Sequence, residues 1–344
     1  MVQTATPPTS EASPSSRRHL EATLNLQRKA ALAAGGALDH AGRVQVRHVP
    51  DFDMGRTIFG GMQGTLPRMV MKDKIAREIF WSDKAVAEVE AAYAASEAEA
   101  PVPVPDQRLV DFMIDECDFS MEHADGTFLE HLVFCHDYAV KYYPEHSPNI
   151  ALLHSILGTA TNTFAMKVDK LPKLKDLLTE KEALHVEAFP SLLRLFYDGK
   201  LLPELQANLH RLDQLESIHF HRVIDNAGLS MSGEDLWVDL NFHLMHFVDF
   251  MPAANWATHA SDPLLLQFRE LSELLDAAGE RQAKVEVSFP EAHKAKPVGE
   301  SVTMAGRISA AIPMKVKKQL ARKSIREYSA KAGHSLDYTL KWRA

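Results

Sequence analysis

The sequence predicts a mostly α-helical protein with at most two short strands. Apolar residues recur three and four positions apart through most of the chain, which is the spacing of an amphipathic helix. Only residues 43–49 and 284–289 alternate apolar and polar side chains as a strand does. The 344 residues are 46% hydrophobic and 24% charged, so the chain has the composition of a globular protein and can bury a large core.

The composition argues against several classes of protein. The formal net charge of −8 argues against specific nucleic-acid binding. No apolar run approaches the roughly 20 residues that cross a bilayer, so we expect no transmembrane segment. Cys117 and Cys135 form no disulfide framework, which fits a reducing compartment and a cytoplasmic location. Because residues 1–16 are rich in Ser and Thr and precede Arg17 and Arg18, organelle targeting stays an alternative.

Shifts in composition divide the chain into four segments. The N-terminus is rich in Pro, Ser and Thr and cannot bury enough surface to fold alone. A glycine-rich stretch at 55–68 lacks the Gly-Lys-Ser/Thr ending of a phosphate-binding loop, and the Pro-rich residues 99–107 are typical of a linker. The predicted organisation is a disordered segment (1–19), an irregular N-terminal helical extension (20–106), a helical bundle domain (107–279) and a basic C-terminal extension (280–344).

The chemically informative stretch is residues 123–164, which hold five of the seventeen histidines. The first helix of this stretch places His131 among apolar residues on one face. Ser147 begins a second helix, whose apolar face carries His154. A short connection makes such helices antiparallel neighbours, so the two imidazoles can meet in the core. Neutral imidazole is a common ligand of first-row metals, so the pair predicts a metal site, with structural core histidines as the alternative.

A later helix, residues 233–251, supplies a third group of candidate ligands. Asp239, His243 and His246 follow each other at spacings of four and three, which stacks their side chains on one helix face. This face is opposite the helix's apolar stripe. The three side chains could share an ion, and a solvated polar face is the alternative interpretation.

Two other helices are expected to lie outside the site. A long helix is predicted from 203 to 226, where His219 and His221 would point apart and could not bind one ion. Near the C-terminus, residues 313–331 contain seven Lys and Arg against the single acid Glu327. A solvated face is the default for such a helix, and contact with an acidic partner or surface is the alternative.

Residues 123–132 (HADGTFLEHL) and 154–159 (HSILGT) resemble the uncharacterised HD-like helical domain, a divergent branch of the HD superfamily of metal-dependent phosphohydrolases. The likeness lies in a glycine before a His-Leu pair, followed by His-Ser and Gly-Thr. It covers roughly residues 110–260. The resemblance implies a helical bundle that holds a divalent metal, Zn, Mn or Fe, and acts on a small-molecule substrate.

Residue by residue, the resemblance implies metal ligands at His131, His154 and Asp239, with Asn241 as the competing choice for the last. The spacing on the same helix adds His243 as a further candidate. A His-Asp pair also occurs at His136-Asp137, but it lies off the apolar face and is treated as accidental.

The second histidine of the family is followed by an aspartate, and Ser155 stands at that position here. A hydroxyl bridges two metals poorly, so a single metal is expected. Ser155, Thr159 and His123 are the candidates for substrate contact, with His123 also a candidate general acid.

Three functions stay open at this point. The first is a metal-dependent hydrolase in which a metal-activated water attacks a phosphoester. The second is an iron-dependent oxygenase on the same scaffold, since a subclass of the superfamily oxidises small molecules. The third is a metal-free HD-like domain that binds a ligand or a protein, which Ser155 favours.

Overall fold

The computed structural model describes residues 25–33, 44–48, 77–117, 122–123, 126–160, 166–250, 263–285 and 304–343. The predicted disordered segment 1–19 and glycine-rich stretch 55–68 lie outside these residues. Within them the fold is mostly α-helical, as predicted, with small antiparallel sheets. No helix of the described residues is long and apolar enough to cross a membrane.

The elements follow each other in this order. The helices are α1 (25–33), α2 (Asp83–Glu99), α3 (Gln107–Glu116), α4 (Phe128–Tyr142), α5 (Pro148–Leu153), α6 (Leu171–Asp176), α7 (Glu180–Asp198), α8 (Leu201–Ala207), α9 (Gly233–Phe250), α10 (Pro263–Ala278), α11 (Met304–Ala311) and α12 (Met314–Lys331). The strands are β1 (Val44–His48), β2 (Arg77–Trp81), β3 (Glu122–His123), β4 (Gly126–Thr127), β5 (Leu215–His221), β6 (Gly228–Ser232) and β7 (Thr339–Trp342). Short 3-10 turns cover Val168–Lys170 and Leu209–Gln214.

Helix α9 is the centre of the fold. It packs against α4, α7, α10 and β5, and side chains around its whole circumference are buried. Its N-terminus is capped as the sequence suggests, since the Ser232 hydroxyl accepts a hydrogen bond from the Asp235 amide at 3.0 Å. The solvated polar face considered for this helix is wrong, because Asp239 and His243 are fully buried. Helices α4 and α7 cover the side that the sequence pattern left polar.

Helix α7 is the second buried helix, and its ends are well defined. Thr179 and Glu182 form a reciprocal capping box at its N-terminus. Gly199 ends it in the left-handed conformation, with a φ of 69°. Helix α12 packs on α7, where Arg326 binds Asp198 at 2.5 Å and Arg322 donates to the Gly199 carbonyl at 2.7 Å. Part of the basic C-terminal helix therefore serves contacts within the chain.

The predicted helix at 203–226 is wrong beyond its first turn. Helix α8 ends at Ala207, and the chain enters strand β5, the middle strand of a β6-β5-β7 sheet. Ile218 and Phe220 are buried while His219 between them is half-exposed, which is the two-residue period of a strand. The chain therefore has more strands than the two predicted. Of those two, β1 is observed at Val44–His48, whereas residues 286–289 lie outside the described part.

The segment before the helical domain contributes to its core. Ala31 and Leu32 of α1 belong to the same buried cluster as Tyr138 of α4. The Leu32 carbonyl accepts a hydrogen bond from the Tyr142 hydroxyl at 2.5 Å. Helix α1 is therefore packed on α4, and this contact positions Arg28 for the site.

Candidate metal centre

Three histidines from three helices meet in the core. His131 comes from α4, His154 directly follows α5, and His246 comes from α9. One ring nitrogen of each lies within 4.8 Å of one ring nitrogen of each other residue, a group that could hold a metal ion. All three are buried, with 0%, 1% and 7% of their surface exposed, respectively. Among the described residues this is the one group of three or more His, Cys, Asp or Glu residues whose potential ligand atoms converge in this way.

The rings of His131 and His154 face each other through their Nε2 atoms. These two nitrogens are 3.2 Å apart. His131 Nδ1 lies 2.6 Å from the Asp249 carboxylate, and His154 Nδ1 lies 2.6 Å from the Ala151 carbonyl oxygen. Both of these oxygens can only accept, so each Nδ1 carries the proton and donates it. In the neutral rings the Nε2 lone pairs therefore face each other.

This separation is suitable for a shared ion. Two nitrogens each about 2.0–2.1 Å from a tetrahedral zinc are roughly 3.3 Å apart. The observed 3.2 Å between His131 Nε2 and His154 Nε2 is close to that value. Two facing lone pairs repel unless a cation or a proton lies between them. The geometry is thus compatible with a metal ion or with one shared proton.

The carboxylate of Asp249 fixes the orientation of His131. Arg28 Nε is 2.9 Å from Asp249 Oδ1, and Arg28 Nη2 is 3.2 Å from Oδ2. Burial raises the pKa of Asp249, but Arg28 and His131 outweigh it and hold this pKa well below its usual range. The ionised carboxylate keeps the proton of His131 on Nδ1. Carboxylate–histidine pairs of this kind are usual behind metal ligands, where they fix the tautomer and make the ligand more basic.

The other described side chains that contact the three histidines include two phenylalanines and a cysteine. Phe189 contacts the rings of His154 and His246 at centroid distances of 4.7 and 5.4 Å, and Phe250 lies 5.1 Å from His131. Cys135 Sγ lies 3.9 Å from both ring nitrogens of His131. Burial raises the pKa of the Cys135 thiol well above its ordinary value, so it is a neutral neighbour. Such a low-dielectric shell strengthens electrostatic interactions inside it.

The structure places Asp239 and His243 in a different buried group. Asp239 Oδ1 is 3.0 Å from His185 Nδ1. The two ring nitrogens of His243 lie 2.8 Å from the Asp239 carbonyl and 3.1 Å from the Phe189 carbonyl. Its ring stacks on that of Phe189 at 3.7 Å. These two residues are therefore not assembled with His131 and His154, although the sequence pattern placed them in one ligand set.

The competing residue Asn241 has a structural role. Its Nδ2 donates to the Trp237 and Glu280 carbonyls, both at 2.9 Å. Its Oδ1 accepts from the backbone amides of Gln282 and Ala283 at 2.9 and 3.0 Å. These four hydrogen bonds satisfy the side-chain amide of Asn241 and hold the segment that follows α10 against helix α9.

Two of the three predicted substrate-contacting residues, Ser155 and Thr159, lie in the segment that directly follows α5. Ser155 is buried, and its carbonyl accepts a hydrogen bond from Gly158 at 3.1 Å. The Thr159 carbonyl accepts from Arg194 Nε at 3.1 Å. The backbone of His123 pairs with Gly126 in the β3–β4 ladder, while its side chain lies outside the described part. Their roles stay predictions.

The comparisons with known proteins give no relative. The chain matches no protein-family model, and no curated protein or solved structure is significantly similar to it. The HD-like resemblance of the motifs at His131 and His154 therefore stays a prediction. The functional argument rests on the geometry of the three histidines and of Asp249.

Proposed function

We propose that His131, His154 and His246 bind one transition-metal ion and that the protein is a metal-dependent hydrolase acting on a phosphoester of a small molecule. The observation that carries the proposal is the 3.2 Å approach of the two Nε2 atoms, with both Nδ1 atoms hydrogen-bonded to acceptors. Three neutral imidazoles leave a fourth tetrahedral position for water. A metal bound there would supply a water whose pKa is lowered to near 7.

The residues around the ligands support this assignment. Asp249 and Arg28 hold His131 in the tautomer that presents Nε2. The Ala151 carbonyl does the same for His154. Phe189 and Phe250 limit the water around the histidines. The substrate class comes from the HD-like motifs, in which Ser155 replaces the bridging carboxylate, so one metal is expected rather than two.

The ligand chemistry favours zinc over an oxygen-activating iron. Non-haem iron oxygenases commonly use two histidines and a carboxylate as ligands. Here the carboxylate nearest to His131 is that of Asp249, which already binds Arg28 and the Nδ1 atom of His131. Three nitrogen ligands without a carboxylate fit a hydrolytic zinc site better.

A second candidate uses the same atoms without a metal. A distance of 3.2 Å also suits an N–H···N hydrogen bond, so one proton between His131 and His154 would relieve the lone-pair repulsion. The negative charge of Asp249 would stabilise the resulting imidazolium. The histidines would then be structural, and the domain would serve in binding.

Metal analysis of the purified protein separates the two candidates. We expect near one equivalent of metal in the wild type after reconstitution with zinc, and near none in His154→Ala. The matched control is His136→Ala, which removes another buried histidine, one paired with Asp137 at 2.9 Å, and should keep the metal. Hydrolysis of a bis-aryl phosphodiester should follow the metal content across the three proteins. If the wild type holds no metal after reconstitution, the metal proposal is wrong and the shared-proton interpretation is favoured.

A further inference from the structure

Arg194 presents a buried positive charge that has no acid partner in the described part of the chain. The residue lies on α7 and exposes none of its surface. Its Nε donates to the Thr159 carbonyl at 3.1 Å, whereas Nη1 and Nη2 have no hydrogen-bond acceptor. Burial lowers the pKa of Arg194 to about 10, so the guanidinium is still charged at neutral pH. A buried charge of this kind is costly unless it is compensated.

The groups packed around Arg194 do not supply that compensation. Tyr328 of α12 lies under the guanidinium, with 4.9 Å from Cζ to the ring centroid, and the interaction with its hydroxyl opposes the effect of burial on the pKa of Arg194. Burial raises the pKa of Tyr328 itself, so this hydroxyl is neutral and does not balance the positive charge. Burial lowers the pKa of His334 to about 4, so it is neutral as well. The carboxylate of Asp198, one turn further along α7, is bound by Arg326 at 2.5 Å and Lys200 at 3.4 Å.

Two buried hydroxyl groups lie on the two helices that pack together beside the Arg194–Tyr328 contact. Ser191 is one turn before Arg194 on α7, on the same face. Ser329 follows Tyr328 on α12 and, with Ile325, is one of the buried residues of that helix. Both Oγ atoms are buried and have no hydrogen-bond partner. Buried hydroxyls in this state are rare, because each one forfeits a hydrogen bond that water would provide.

We propose that Arg194, Ser191 and Ser329 form a binding site for a phosphate group, either inorganic phosphate or the phosphoryl end of a small molecule. The two Nη atoms form the fork that binds oxyanions in a bidentate manner. A phosphate would neutralise the guanidinium and accept from both hydroxyls. Donors from two helices suit a tetrahedral oxyanion better than a planar carboxylate. The site is distinct from the three histidines and does not depend on the metal proposal.

A thermal-denaturation titration with inorganic phosphate tests the site. The whole 344-residue chain is used with EDTA present, so that a metal centre cannot bind the phosphate. The melting temperature of the wild type should rise with each increment of phosphate at constant ionic strength, because a ligand that binds only the folded state stabilises it. Chloride and acetate at the same ionic strength should have no such effect. Arg194→Met should show no response, whereas Arg322→Met, which removes an arginine bound to the Gly199 carbonyl, should respond like the wild type.

Two further measurements keep the test decisive. Arg194→Met should melt at or above the wild-type temperature in the absence of phosphate, because it removes an uncompensated buried charge. If this variant does not fold, Arg194→Lys replaces it, and its phosphate affinity by phosphorus NMR should fall at least about tenfold, since lysine lacks the fork. The proposal is overturned if phosphate fails to stabilise the wild type, if acetate stabilises it equally, or if Arg194→Met or the folded Arg194→Lys retains full affinity.

Discussion

Arg28 and Asp249 form a two-point ion pair although 221 positions separate them in the chain. The pair joins helix α1 to the last turn of α9, and the other side of the carboxylate holds His131 at 2.6 Å. The orientation of a central histidine thus depends on a helix that precedes the helical domain. This arrangement makes α1 part of the site.

Replacing Arg28 tests that dependence. Arg28→Met leaves Asp249 buried beside His131 without its cation, and breaking a buried pair in this way typically costs about 3–5 kcal/mol of unfolding free energy. Urea denaturation measures the loss. The adjacent Lys29→Met is the control, because Lys29 pairs with Glu90 in a more exposed contact whose removal should cost about 0–1 kcal/mol. Equal stability of the two variants would contradict the role given to Arg28.

The carboxylate itself is tested by Asp249→Asn. The amide keeps the shape and can still accept from His131 Nδ1, but it loses the negative charge. Removal of such an outer partner typically lowers metal affinity by about 10- to 100-fold. Zinc titration in the presence of a competing chelator measures this change. An affinity equal to that of the wild type would show that Asp249 does not support a metal ligand.

His185 and the two carboxylates that face it, those of Asp235 and Asp239, predict how stability depends on pH. Burial lowers the pKa of His185, but the Asp235 carboxylate at 3.6 Å and the hydrogen-bonded Asp239 carboxylate at 3.0 Å outweigh it and raise this pKa from 6.5 to about 9. The folded-state pKa is above the unfolded one, so the stabilisation is complete below pH 6.5 and is lost as the pH rises through 9. A shift of this size corresponds to about 3 kcal/mol.

Unfolding free energies between pH 6 and pH 10 measure this loss. His185→Gln should lower the stability at pH 6 and should flatten the decrease toward pH 10. The wild-type curve should instead fall across that interval. A decrease of the same size in both proteins would assign the pH dependence to other groups.

Gly233, at the start of α9, is required by a close backbone approach. A Cβ atom there would lie 2.2 Å from the Leu215 carbonyl oxygen, which belongs to the backbone of β5 and cannot move aside easily. Gly233→Ala should therefore cost about 1–3 kcal/mol, the usual range for overpacking. Gly228→Ala is the control, because nothing lies within 4 Å of a Cβ atom at that position. Thermal denaturation of both variants should show a loss for Gly233→Ala alone.

The sequence could predict the approach of His131 and His154 because His131 lies among the apolar residues of α4, His154 continues the apolar face of α5, and the connection between the two helices is short. It offers His246 as one of three candidates on α9 but could not show that His246, rather than Asp239 or His243, joins this pair. Helical spacing predicts which side of a helix a residue lies on, but it does not predict which position along the helix axis faces the other two histidines. Asp239 and His246 share a face, yet seven residues separate them by roughly 10 Å. The aspartate at the site is Asp249, which continues the same stripe at the other end.

Other features required the tertiary structure. Arg28 has no local pattern that relates it to Asp249, since their contact is made only when α1 packs on α4. The sequence predicts helix across strand β5 because the apolar residues before it have helical spacing. The alternation of Ile218 and Phe220 was the available signal, and β6 and β7 provide the hydrogen-bonding partners that stabilise it as a strand.

The most direct test of the metal centre compares the metal content of His246→Gln and His243→Gln after reconstitution with zinc. The two positions are one helical turn apart on α9, and both are buried. The geometry predicts about one equivalent in the wild type and in His243→Gln, and a large loss in His246→Gln. Loss in His243→Gln with retention in His246→Gln would contradict the proposed ligand set, as would a wild-type protein that binds no metal.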